Sequence, residues 1–135
     1  MKKYILIILI VFLTNFSFSQ FICNISPKVK EAGDIITKGK SNSSDVLIIG
    51  DYRMNGSGWV LLPDHTGGFF IENVQSNEIL WVLGDINGNI GIEITTFKNE
   101  LNYQNKLQIE SQNKFLVNFI SESKVEFVNT HTSEL

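Results

Sequence analysis

From Asp45 onward the chain consists of short apolar runs broken by turn formers, with no convincing amphipathic helix period. The runs are Val46–Gly50, Gly58–Leu62, Gly68–Val74, Glu78–Leu83, Asn89–Thr96, Lys106–Ser111, Lys114–Ile120 and Lys124–Val128. Asn55-Gly56 and Asn87-Gly88 accept the positive φ angles of tight hairpins, and Pro63 to Gly67 is built of turn residues. Gln112-Asn113 and Glu122-Ser123 read as short polar links. Short links join sequential antiparallel neighbours. The expectation is one all-β domain, a single antiparallel meander closed or partly closed into a barrel.

Burial differs among the runs. Ile90, Ile92 and Ile94 alternate with Gly91, Glu93 and Thr95, as in a strand with one dry and one wet face. Leu107 and Ile109, and Val125 with Phe127, sit in similar alternations. Val46 to Ile49, Trp59 to Leu62 and Ile79 to Leu83 do not alternate, so both their faces must avoid water. Cover by the N-terminal segment or a second sheet would satisfy them, and so would an apolar cavity or a partner surface. The largest anchors in these runs are Trp59 and Trp81.

The first nineteen residues read as an export signal: Lys2 and Lys3, an apolar run from Tyr4 to Leu13, then Ser17-Phe18-Ser19 before Gln20. The run is short for a helix crossing a hydrocarbon core of ~30 Å. Cleavage between Ser19 and Gln20 is expected, leaving residues 20–135 as the domain in the periplasm or outside the cell, without stable membrane insertion. A buried N-terminal element and an uncleaved anchor are the alternatives. Lipidation at Cys23 is disfavoured, because Ile22 precedes it where a small residue belongs and Gln20 stands where Leu is usual. Cys23 then reads as a small buried hydrophobe. Ser26-Pro27 starts a short helix that Ser26 caps and Gly33 ends, and Lys38 to Asp45 reads as a loop.

Composition excludes several classes. One Cys and two His cannot build a multi-Cys zinc module and make a His-based metal site hard to assemble. A net charge of −3, more negative once Lys2 and Lys3 leave, gives no footprint for nucleic acid. Arg53 is the only Arg. Asp85, Asn87 and Asn89 imitate the start of a calcium loop, but the sixth position is Ile90 and the twelfth Thr96, so the segment reads as a hairpin. Gly56-Ser57-Gly58 lacks the spacing of a nucleophile elbow. Glu72, Glu93, Glu110 and Glu126 lie within runs and read as outward, solubilising carboxylates. Asp64-His65, in a turn, is the one acid–imidazole pair to weigh as a site, and His131 lies in a polar tail.

Trp59-Val-Leu-Leu-Pro-Asp64-His-Thr66-Gly67-Gly-Phe-Phe, followed by Ile79-Leu-Trp81-Val-Leu, resembles the core of small exported bacterial lipocalin-like proteins. The resemblance spans residues 50–93 and departs at His65, where the family has Gly. It implies an up-and-down antiparallel barrel with an apolar interior, and no catalytic residues to carry over.

Three roles follow, two of them non-catalytic and none requiring a cofactor. In the first, a small apolar ligand is held by Trp59, Leu61, Phe69, Trp81 and Leu83. In the second, the doubly apolar runs form an exposed contact surface for an envelope protein, as in an inhibitor or assembly partner, or a homo-oligomer contact. An enzyme using Asp64 and His65 ranks last, because no nucleophile–base–orienter set is visible.

Overall fold

Three tight hairpins dictate the connectivity. Asn87-Gly88 turns with φ of 52° and 85°, and Glu72-Asn73 with 49° and 67°. These are the paired positive angles whose twist matches that of flanking strands. Asn55-Gly56, with φ of 55° and 82°, closes a smaller hairpin held by the bridge between Met54 and Ser57. The computed structural model describes residues 23–121 and 124–129. The expected leader, the Glu122-Ser123 link and His131 lie outside the described residues.

Helix α1 spans Pro27–Gly39 and the one-turn α2 spans Asp45–Ile48. The strands are β1 Gly50–Asp51, β2 Gly58–Leu61, β3 Thr66–Ile71, β4 Val74–Ile86, β5 Asn89–Phe97, β6 Ile109–Ser121 and β7 Lys124–Asn129. They form one antiparallel sheet in the order β1 to β7. The sheet is an all-β meander curled into a half-barrel, open rather than closed. The curl is visible in side chains: Trp59 of β2 meets Phe115 of β6 at 5.4 Å between ring centroids, across the hollow formed by the three strands between them.

Register assigns the faces. Leu61 pairs with Gly67, Gly67 with Ile79, Trp81 with Ile94, Leu83 with Ile92, Ile92 with Phe115 and Val117 with Phe127. Directly opposed residues share a face. These side chains therefore all line the concave side, where they form the hydrophobic core together with Ile48.

The convex side carries α1. Gly33 of that helix lies so close to the β2–β3 turn that a Cβ there would stand 2.6 Å from the Asp64 carbonyl oxygen and from Thr66 Cγ2. This corrects the expectation that Gly33 ends the helix. The residue is a contact point inside it, and the helix continues to Gly39. Ser26 makes no side-chain cap; instead its backbone N–H donates to the Glu78 carboxylate. Gln75 holds the preceding segment as a strand neighbour would, accepting from Asn24 N–H at 2.7 Å and donating to its carbonyl at 2.8 Å.

Three further expectations are corrected. Gly68 to Val74 is not one strand and Glu72 does not lie within one: Glu72-Asn73 is the turn between β3 and β4, where both residues take the positive φ of a tight hairpin. Val46 to Ile49 is not a strand. Asn42 Oδ1 accepts from Ser44 N–H and Asp45 Oδ2 from Asn42 N–H, both at 2.9 Å, and this local bonding turns the chain into α2 before β1 begins. Gln112-Asn113 is not a link, because β6 runs through it without a break. Both pair within β6, opposite Thr95 and Ile94, so two expected strands are one.

Candidate functional site

The β2–β3 turn sets up a buried polar group that joins both helices to the sheet. Leu62 N–H donates to the Thr66 carbonyl at 2.8 Å, and His65 N–H to the Leu62 carbonyl at 3.2 Å. These bonds force His65 to φ +66°, a left-handed conformation that favours glycine. The side chain compensates. His65 is 1% exposed and packs on Trp81 at 4.5 Å between rings. Its Nδ1 lies 2.9 Å from Thr37 Oγ1 of α1, and its Nε2 lies 2.9 Å from Asp45 Oδ2 of α2. The expected Asp64–His65 pair does not form: Asp64 Oδ1 accepts instead from Thr66 N–H at 3.2 Å.

A hydroxyl, an imidazole and a carboxylate thus stand in a chain drawn from three elements. With the proton on Nε2, the ring donates to Asp45, and Nδ1 competes with the Gly33 carbonyl for the single proton of the Thr37 hydroxyl. That polarity would activate a nucleophile. The setting of Thr37 opposes it: its Oγ1 is also 2.9 Å from the Gly33 carbonyl, and it lies in the last turns of α1, where the carbonyl end of the helix dipole disfavours an alkoxide. The arrangement serves as a fastener of both helices to the sheet. Asp45 Oδ1 is buried without a partner, as is Trp59 Nε1.

The five residues expected to hold an apolar ligand share the concave face but not one surface. Leu61, Trp81 and Leu83 are core residues, and the Trp81 indole N–H donates to the Leu62 carbonyl at 3.0 Å. Trp59 and Phe69 lie at the margin of that core, 5.8 Å apart between ring centroids. They border a space of about 160 Å³ with Thr96, Glu110, Ser111 and Asn113. Ligand pockets usually measure about 300–1,000 Å³.

A larger opening lies where the barrel fails to close. Tyr52, just after β1, meets Phe127 of β7 at 4.5 Å between rings, and its hydroxyl donates to the Ile48 carbonyl at 2.5 Å. The two edge strands are therefore neighbours, although no backbone pairing joins them among the described residues. Between them is a cleft of about 430 Å³, lined by Val46, Leu47, Ile49 and Tyr52 on one side and Lys124 and Val125 on the other. Val46 is 71% and Leu47 54% exposed. A third hollow, about 340 Å³, lies around Gly84 and Gly91, which face each other across β4 and β5 beside the Glu93–Lys114 pair.

Several charged groups elsewhere are locally satisfied. Arg53 grips both Asp51 oxygens and places its guanidinium 4.9 Å from the centre of the Phe70 ring. This hydrogen bonding holds the Asp51 carboxyl below its usual range. Glu110 accepts from Asn77 Nδ2 at 3.1 Å. Asp85 accepts from Gly88 N–H at 3.3 Å, in the hairpin geometry expected there. Cys23 is half-buried near Gly68, and burial raises its thiol to about 11. Among the described residues no three His, Cys, Asp or Glu side chains group to hold a metal, and no helix is long and apolar enough to cross a membrane.

Val46 and Leu47 belong to a run whose doubly apolar composition already points to a contact surface, whereas Thr37 and Asp45 do not stand out as site residues: the first helix is expected to end at Gly33, and Asp45 to close a loop. The polar cluster Asn42 to Asp45 ahead of the apolar run is the signal for a capped turn. Comparison with known proteins finds no matching family model, no similar curated protein and no similar solved structure.

Proposed function

We propose that this chain is an exported, non-catalytic binding domain of the cell envelope, and that it takes an extended polypeptide segment at the seam between β1 and β7. The supporting observation is the seam itself: an edge strand whose outer side has no strand partner among the described residues, beside exposed Val46 and Leu47, with space between the edges. A free edge presents unpaired N–H and C=O groups, and strand addition satisfies them while flanking apolar residues supply affinity. An up-and-down meander also agrees with the lipocalin-like resemblance, but in this reading the working surface is the gap rather than the interior.

Selection of peptides from a random library against the purified protein tests the proposal. Selected peptides should lose binding on Val46→Asp and Leu47→Asp, and should protect the β7 amides from hydrogen exchange. Peptides insensitive to both variants would overturn it. A second reading, a small apolar ligand, is favoured by the space beside Trp59 and Phe69. Native mass spectrometry revealing a bound small molecule that Trp59→Ala abolishes would replace the first reading with this one.

A further inference from the structure

We propose, building on the seam reading, that the segment accepted by β7 is β7 of a second copy of this chain. The strand runs Lys124-Val-Glu126-Phe-Val-Asn129 and, among the described strands, pairs with β6 alone. Lys124 and Glu126 lie exposed on one face, while Val125 and Phe127 are half-buried on the other and pack toward the concave core.

Two copies of one edge pair about a two-fold axis, antiparallel, with like faces together. Three registers keep the faces matched near the middle of the strand, and the charges distinguish them. An axis through Glu126 sets two carboxylates against each other. An axis through Phe127 leaves both charges opposite uncharged residues. An axis through Val125 sets Lys124 opposite Glu126 of the second copy, and Glu126 opposite its Lys124. Val125 then meets its own counterpart. The strand is thus electrostatically self-complementary in one register, the arrangement that opposed cross-strand charges favour.

The position of the cleft selects the same register. The open space borders Lys124 and Val125, whereas the Phe127 end is occupied by the Tyr52 ring. Pairing centred on Val125 uses the open end and brings the second copy against Val46 and Leu47, the exposed apolar residues across the seam.

Sedimentation velocity over a concentration series tests the proposal on the purified protein. The wild type should show a concentration-dependent dimer that weakens with salt. Lys124→Glu and Glu126→Lys each convert both opposed pairs into like charges, so each variant should associate at least about tenfold more weakly. An equimolar mixture of the two single variants should restore the dimer, since an acidic strand then faces a basic one. The double variant Lys124→Glu/Glu126→Lys should dimerise like the wild type. Unchanged thermal melts verify that these exposed changes leave the fold intact. A wild type that stays monomeric overturns the proposal, as do a dimer unaffected by both reversals and a mixture that fails to associate. If the chain is monomeric yet selected peptides still depend on Val46 and Leu47, only the second-copy assignment falls. If neither holds, the seam reading falls with it.

Discussion

His65 Nε2 lies 2.9 Å from Asp45 Oδ2, so the carboxylate that orients the imidazole comes from α2 and not from the adjacent Asp64. This contact links the β2–β3 turn to the segment that forms one wall of the seam. His65→Phe would keep the aromatic packing on Trp81 but leave Asp45 and Thr37 without their shared partner. Removing one member of a buried polar pair costs about 2–4 kcal/mol, and urea unfolding of the variant should show a loss of that size. Asp45→Asn retains an acceptor for the imidazole N–H and should cost less.

Gly33→Ala sets two effects in opposition. Alanine in a helix interior gains up to about 1 kcal/mol over glycine, but overpacking costs about 1–3 kcal/mol. The new Cβ would meet the Asp64 carbonyl and Thr66 Cγ2 at 2.6 Å, so the steric cost wins and the variant unfolds at lower denaturant. Gly39→Ala, where nothing lies within 4 Å of the added Cβ, should show no such penalty. Equal midpoints for the two variants would refute the close approach of α1.

Glu72 occupies a hairpin position with φ +49°. Asparagine tolerates that conformation better than glutamate does, so Glu72→Asn should stabilise the protein by about 0.5–1 kcal/mol without altering its circular-dichroism spectrum. A neutral or destabilising result would mean that the Glu72 side chain contributes more than its backbone costs.

Stability should decline in alkali. Burial raises the Cys23 thiol from 9.0 to about 11 and the Tyr52 hydroxyl from 10.0 to about 12. Above pH 9 the unfolded chain loses these protons first, so it binds fewer protons than the folded chain and the stability falls with rising pH. The Cys23 contribution is lost between about pH 9 and 11, and that of Tyr52 between about 10 and 12. Cys23→Ala should flatten the earlier part of the decline. Because the thiolate is the reactive form, alkylation of Cys23 at pH 8 should also be slow until the protein unfolds.

Sequence alone determined the all-β class, the antiparallel meander and the turns at Asn55-Gly56, Pro63 to Gly67 and Asn87-Gly88, because paired positive-φ residues and period-two alternation are local and survive any arrangement of neighbours. Ile92, Ile94 and Phe127 were legible as core candidates from alternation, and Trp81 from a run too apolar to leave either face wet. Tertiary structure decided the rest. Val46 to Ile49 has a strand's composition, yet its preceding polar residues bond to one another and form α2. Gly33 resembles a helix terminator, yet it is the place where α1 touches the sheet. Asp64 is next to His65 in the chain, yet Asp45 is next to it in space. The open seam is likewise invisible in the sequence. Whether seven strands close depends on curl and edge geometry summed over the sheet, and no local run of residues encodes that sum.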